Sequence, residues 1–215
     1  MKRLAVRDLG HMAYGDALAV QDRANRDRYD EEIPDTLFFV EHPPVITLGR
    51  ATTEADILLS KDERTRLGVE VHRISRGGLA TYHGPGQLVG YPIIHLYERA
   101  VHIKRFITSL EQMFVDMLGE LYNIDAHLDP HNRGVWVGAN KITAVGIAIR
   151  NRVTMHGFAF NVSTDLSHFD WIIPCGIHDR GVTSLEACTG RSVEMDTVRR
   201  ETERYFRTTF GYAAP

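Results

Sequence analysis

Helical and strand-like spacings of apolar residues alternate along this chain. Residues 14–28 repeat at helical spacing, with Ala17, Val20 and Ala24 on one stripe and charged residues around it. Residues 36–40 and 45–48 are short apolar runs split by Pro43-Pro44, the pattern of two strands. A weaker helical pattern covers residues 54–67. The strongest helix signal covers residues 102–122, where Ile103, Phe106, Ile107, Leu110, Met113, Phe114, Met117, Leu118 and Leu121 recur every three or four positions. Such an aromatic and Met stripe is core packing, not a cofactor box. From Gly134 the period changes to strands: GVWVG, KITAVGIAIRN and VTMHGFAFNV, with turns expected at Ala139-Asn140 and Asn151-Arg152. That is an antiparallel meander. A last helix is expected from about Asp196, a good capping residue, with Val198, Tyr205 and Phe206 inward. The interleaving predicts an α/β (α+β) fold, one mixed sheet flanked by helices in a single domain over residues 1–215.

Two segments stand outside this periodicity. Between the alternating run VEVHRIS (residues 69–75) and the apolar run LVGYPIIHL (residues 88–96) lies a glycine-rich loop within RGGLATYHGPGQLVGYP, residues 76–92. It spends Gly77, Gly78, Gly84, Gly86 and Gly90 and Pro85 on one short stretch, and threads Tyr82, His83 and Gln87 among them. Clustered glycines mark forced backbone angles or a ligand lying against the main chain. The second segment, STDLSHFDWIIPCGIHDRGVTSLEA (residues 163–187), is irregular, and loops of that length inside a domain are usually functional.

Composition narrows the classes. The 215 residues are 43% hydrophobic, enough for a sizeable core. A formal net charge of −3 gives no bulk field for nucleic acid. The sequence has no apolar run of membrane-spanning length, and MKRLAVRDLG lacks a signal-peptide core. Two cysteines, Cys175 and Cys188, have neither metal-ligand nor redox-pair spacing, which suits a reducing, cytoplasmic setting.

Cys175, in IIPCGI, lies between a proline that fixes the backbone and a glycine that admits close approach; Cys188, in SLEACTG, reads as a small hydrophobe. A thiol of ordinary pKa near 8.5 is mostly protonated at pH 7, so Cys175 needs an activator to act as a nucleophile. Among eleven histidines, His83 in the glycine loop is the best placed, with His156 before Gly157 on a strand. His127 and His131 are four apart, but Pro130 disfavours the helix that a zinc pair requires. Lys141, at the start of KITAVGIAIR, is the other candidate, as a base or as a cation beside a thiolate. Spacing alone does not choose between His83 and Lys141.

With these segments together, the chain resembles the octanoyltransferases of lipoate biosynthesis. RGGLATYHGPGQLVGYP, KITAVGI, HGFAFNV, IIPCGI and GVTSLE follow that family's blocks in order, over residues 37–186. The resemblance implies a fold like that of biotin and lipoate protein ligases. It implies transfer of an octanoyl (or lipoyl) group from the phosphopantetheine thioester of acyl carrier protein to a lysine. The acceptors would be the lipoyl domains of 2-oxoacid dehydrogenase complexes and the glycine cleavage H protein. It implies Cys175 as the nucleophile that forms an acyl thioester, with Lys141 its activator. Arg76, Gly77, Gly78, Leu79, Ala80, Thr81, Tyr82 and His83, with Ala144, Val145, Gly146, Gly157, Phe158 and Ala159, would line the acyl site. Leu79-Ala80 departs from the more polar pair that many members carry. No cofactor is expected, neither ATP nor metal: thioester exchange is nearly isoenergetic, amide formation from a thioester is downhill, and the sequence lacks a GxxxxGK[ST] loop. Backbone N–H groups near Gly78 and Gly176 would stabilise an oxyanion, each donor typically worth about 3 kcal/mol. Burying an eight-carbon tail at ~0.8 kcal/mol per methylene gives roughly 5 kcal/mol of binding. An ATP-using ligase of the same fold is the nearest rival, and would lack the PCGI cysteine.

Overall fold

Leu37 and Phe39 face one way and Phe38 and Val40 the other, because successive side chains of a strand alternate. Both faces of that strand are buried, so its sheet is covered on both sides. The structure, a computed structural model, describes residues 3–173 and 180–213. In chain order the elements are β1 (Leu4–His11), α1 (Tyr14–Tyr29), β2 (Asp35–Glu41), β3 (Val45–Leu48), α2 (Lys61–Leu67), β4 (Glu70–Arg73), β5 (Thr81–His83) and β6 (Gln87–Ile93). There follow α3 (Ile103–Tyr122), β7 (Ala126–Leu128), β8 (Val135–Val137), β9 (Asn140–Arg150), β10 (Val153–Asn161), β11 (Gly181–Val182), α4 (Leu185–Thr189) and α5 (Met195–Phe210). The main sheet runs β1-β2-β6-β10-β9-β8-β7, and β11 pairs with β9. It is mixed: β1 lies parallel to β2 and β11 parallel to β9, while β2, β6, β10, β9, β8 and β7 pair antiparallel. A second sheet, β4-β3-β5, stands apart.

Helices α3 and α5 cover one face of the main sheet. Phe106, Leu110, Met113, Phe114, Met117 and Leu118 of α3 pack with Val198 and Phe206 of α5 on Leu37, Phe39, Leu88, Phe158 and Phe160. The His102 side chain accepts from the Lys104 N–H at the start of α3, and Asn123, at φ +53°, ends it. On the other face, Ala17 and Ala24 of α1 pack on Phe38, Val40, Val89, Tyr91 and Ala159. The small sheet and the 3₁₀ turn at Leu166–Trp171 form a further core from Ile46, Leu48, Tyr82, Phe169 and Ile172.

The meander forms as expected. Its second turn sits on Asn151 and Arg152, at φ +51° and +60°, the pair of left-handed residues that suits right-twisted strands. The first turn is Gly138-Ala139, one residue earlier than expected, because Gly138 takes the positive φ of +55°. The 54–67 helix is instead two pieces, a 3₁₀ turn at Glu54–Asp56 and α2, since Thr53 and Ser60 each build a capping box and start a helix afresh. The buried side of α1 is more polar than its apolar stripe: Gln21, Asn25 and Arg28 are buried beside Ala17 and Ala24, and Val20 is half-buried. Arg28 Nε donates to buried Asp35 at 2.9 Å, where the Tyr212 hydroxyl (2.7 Å), the His95 N–H (3.1 Å) and Arg99 (3.3 Å) also converge. That knot joins α1, β2, the segment after β6 and the end of α5. No helix among the described residues is long and apolar enough to cross a membrane.

Candidate active site

A cavity of about 320 Å³ opens between the meander face of the main sheet and the glycine-rich segment. Its floor follows from strand register. Ala144 of β9 lies opposite Ala159 of β10, and Gly146 opposite Gly157, so two pairs of minimal side chains leave a groove across the strands. A Cβ on Gly157 would come within 1.9 Å of the Gly90 carbonyl oxygen, so nothing larger fits there.

The roof is held by Arg76. Buried, it donates to the carbonyl oxygens of Gly77 (3.2 Å), Leu79 (2.7 Å) and Thr47 (3.0 Å) and to the Thr47 hydroxyl (2.9 Å). A charged fork aimed at carbonyls folds the loop around itself, which gives this arginine a scaffolding task. Gly78 takes φ +86°, a backbone that L side chains rarely adopt. Residues 76–81, 83, 144–146 and 157–159 all line the cavity. Tyr82, expected among them, points away on β5: it is fully buried in the small-sheet core, and its hydroxyl lies 2.8 Å from His168 Nδ1. Alternation along a three-residue strand accounts for this, since Thr81 and His83 face the cavity and Tyr82 cannot.

His83 is set by a chain of hydrogen bonds. The Thr183 carbonyl can only accept, so Asn161 Nδ2 donates to it at 3.0 Å. Asn161 Oδ1 then accepts from Gln87 Nε2 at 2.9 Å, and Gln87 Oε1 accepts from His83 Nδ1–H at 2.7 Å. The imidazole is thereby a neutral Nδ1–H tautomer with a lone pair on Nε2. Burial, with a smaller push from neighbouring His42, lowers its pKa to about 3. It takes up no proton near neutral pH and is a poor base there. The Tyr14 ring stacks on it, centroids 6.1 Å apart. Nearby, His42 Nδ1–H donates to the Met12 carbonyl (2.7 Å), leaving Nε2 to accept the Tyr91 hydroxyl (2.7 Å). Tyr14 and Tyr91 also line the cavity. The sequence reading passed over both, because each sits inside an ordinary periodic element.

Lys141 lines the cavity where β9 begins, between β8 and β11. Its Nζ lies over the Trp136 ring, 4.8 Å from the centroid, and the Arg180 guanidinium lies 5.0 Å from the same ring. Arg180 is anchored to Asp129 at 2.5 Å. Cys175 and Gly176 lie outside the described residues. On the near side of that segment Ile172 lines the cavity and the Ile173 N–H donates to the Asp56 carbonyl (2.8 Å). On the far side Arg180, Gly181 and Val182 line the cavity, and Val182 pairs with Lys141 itself. Cys188 stands elsewhere, half-buried against the main core with Sγ 3.5 Å from the Thr183 hydroxyl. Among the described residues no group of three or more His, Cys, Asp or Glu is disposed to hold a metal ion.

This architecture has counterparts. Residues 13–207 match the family model of the lipoyl protein ligase A/B catalytic domain. The chain is 50% identical over 210 residues to an octanoyltransferase of Caldicellulosiruptor saccharolyticus, covering 97% of this chain and 89% of that one. It is 46% identical to an octanoyltransferase of Alkaliphilus metalliredigens, covering 97% and 96%. Among solved structures it is similar in fold to a bipartite lipoate protein ligase with its E2 lipoyl domain from Thermoplasma acidophilum. That match has a TM-score of 0.74 at 18% identity, over 100% of this chain and 86% of that one. A biotin protein ligase of Aquifex aeolicus, in complex with biotin and ATP, shares the fold more distantly, with a TM-score of 0.58 at 16% identity over 98% and 71%.

Proposed function

We propose that this chain, an acyltransferase that belongs to the lipoyl protein ligase A/B catalytic-domain family, moves an octanoyl (or lipoyl) group from acyl carrier protein to a lysine of lipoyl carrier domains. The transfer passes through an acyl thioester on Cys175, in the cytoplasm, without ATP or metal. One observation carries this reading: Lys141 and both described flanks of the segment bearing Cys175 line one cavity with a groove of alanines and glycines.

The chemistry balances with these residues. The Lys141 amine takes the proton of the Cys175 thiol, and the thiolate attacks the carbonyl carbon of the donor thioester. The new C–S bond forms as the pantetheine C–S bond breaks, and the departing sulfur recovers the proton from the Lys141 ammonium. The acceptor amine then attacks the Cys175 thioester. The C–N bond forms, the C–S bond breaks, and the amine proton passes by way of Lys141 to the cysteine sulfur. Splitting the reaction at a covalent stage lets two carrier proteins use one cleft in turn. His83, neutral and held as an acceptor, leaves the proton work to Lys141.

Intact-mass analysis after mixing with octanoyl-acyl carrier protein, in EDTA-treated buffer free of nucleotide, is the test. We expect one added octanoyl group, labile to hydroxylamine, lost in Cys175→Ala and kept in Cys188→Ala. An adduct that survives in Cys175→Ala overturns the assignment, and a strict need for ATP with free octanoate overturns the donor.

A further inference from the structure

Lys141 reaches the cavity through a break in strand alternation. On β9, Val145 and Ile147 pack against the main core, while Ala144 packs on the opposite, cavity side. Alternation carried back from there would put Ile142 on the cavity side and turn Lys141 toward the core. The opposite is found: Ile142 is fully buried in the main core and Lys141 lines the cavity. The pairing accounts for it. Val135 of β8 lies opposite Thr143, but Trp136 lies opposite Lys141, so Ile142 is an extra residue on β9, a β-bulge. One inserted residue shifts the phase of a strand and turns every side chain beyond it to the other face. The bulge has a cost at its edge, where the Thr143 hydroxyl is buried with no hydrogen-bond partner among the described residues.

What stands against the bulge is Glu111. It is 2% exposed, near the middle of α3 and among that helix's apolar core residues. A buried carboxylate is costly unless it is hydrogen-bonded, and the transfer chemistry makes no use of this one. Its Oε1 accepts the Gly134 N–H at 2.7 Å, and its Oε2 accepts from Arg133 Nη1 at 2.9 Å. Gly134 immediately precedes β8 and takes φ +115°. A Cβ there would stand 2.5 Å from the Thr143 carbonyl oxygen and 3.3 Å from both Cδ and Cε of Lys141. The bare Gly134 backbone therefore lies against both sides of the bulge, and Glu111 holds it there.

We propose that Glu111 is a positioning residue for the acyl transfer: its carboxylate holds Gly134 against β9, which keeps the bulge in place and the Lys141 stem directed into the cavity. The inference rests on the proposed work of Lys141 at Cys175. An apolar residue at position 111 leaves the buried Gly134 N–H without its acceptor. The start of β8 then shifts on β9, and the Lys141 amine loses its aim.

The test is a double-mutant cycle on the rate at which octanoyl-acyl carrier protein acylates the protein, read by intact mass per folded molecule. Glu111→Leu should slow acylation by about tenfold to a hundredfold, the loss that a misplacement of about 1 Å produces. Glu111→Gln keeps an oxygen for the Gly134 N–H and should stay within about threefold of wild type, the difference between a charged and a neutral acceptor. Placed on Lys141→Met, Glu111→Leu should change the residual rate by less than about twofold, because a residue that acts through another adds nothing once that other is gone. Urea unfolding should show it destabilising both backgrounds alike. An equal loss of rate in both backgrounds overturns the proposal, since Glu111 then only holds the fold. Acylation by Glu111→Leu at the wild-type rate overturns it as well. Should Glu111→Leu not fold, Glu111→Asp, which draws the carboxylate back by one methylene, takes its place in the cycle with the same outcomes. Acylation of Lys141→Met at the wild-type rate refutes the role of Lys141 itself and takes the proposal with it, and absence of any acyl-enzyme refutes the transfer reading.

Discussion

At the scale of single residues, the sequence left His83 and Lys141 open as partners of Cys175, and the reason is physical. Whether an imidazole is a base depends on its burial and hydrogen bonds, and neither is written in YHGPGQ. The chain through Gln87 and Asn161, together with burial, makes His83 an acceptor with its pKa near 3. Lys141→Met keeps much of the stem volume and removes the amine. We expect it to fold and to slow acylation of Cys175 by at least about a hundredfold, measured by quenched-flow mass spectrometry. The buried histidines also leave a mark on stability. An unfolded histidine takes up a proton below about 6.5, whereas His83 and His156 resist until about 3 and about 4. Between those values the unfolded chain binds more protons, so stability falls as pH falls, by up to ~1.4 kcal/mol per unit for each. Urea midpoints at pH 7 and pH 5, a range in which most carboxylates stay ionised, should show the loss, and His83→Gln should flatten it.

At the scale of elements, strong periodicity was legible and weak periodicity was not. α3 announces itself through nine apolar positions at helical spacing, and the meander through alternation punctuated by Asn151-Arg152. β1 was invisible because only Leu4 of its eight residues is buried; the rest lie at an edge where alternation is shallow. β5, β7 and β11 are two or three residues long and exist through their partners, so no local pattern encodes them. The groove itself was legible only as single letters, since the opposition of Ala144 to Ala159 depends on register. That register supports a prediction. Ala144→Leu places a branched side chain in the groove and should cut octanoyl transfer about tenfold, the loss of about two buried methylenes from the tail. Hexanoyl transfer should fall less, and thermal stability should change little. Equal losses for both chain lengths, read from donor-dependent acylation rates, would place Ala144 outside the tail's path.

At the scale of the molecule, the Asp35 knot ties α1, β2 and the segment after β6 to the C-terminal end of the described chain. Asp35 is 3% exposed and receives Arg28, Arg99, the Tyr212 hydroxyl and the His95 N–H. Removing one side of such a group strands buried charge, and we expect Asp35→Ala to cost about 3–5 kcal/mol in urea unfolding. Activity per folded molecule should be largely kept, because the knot lines no part of the cavity. The amide chain from Thr183 to His83 works differently from this knot: it has a direction. The carbonyl at one end can only accept, so every later link inherits its sense from that end, and reversing one amide sets two donors or two acceptors face to face. The orientation of the His83 lone pair is therefore a record of how β11 is seated, six residues after the cysteine (181 − 175). The strand beside Lys141 and the far wall of the cavity are thus joined by one directional line of amides, and a change in how the strand is seated is passed along it.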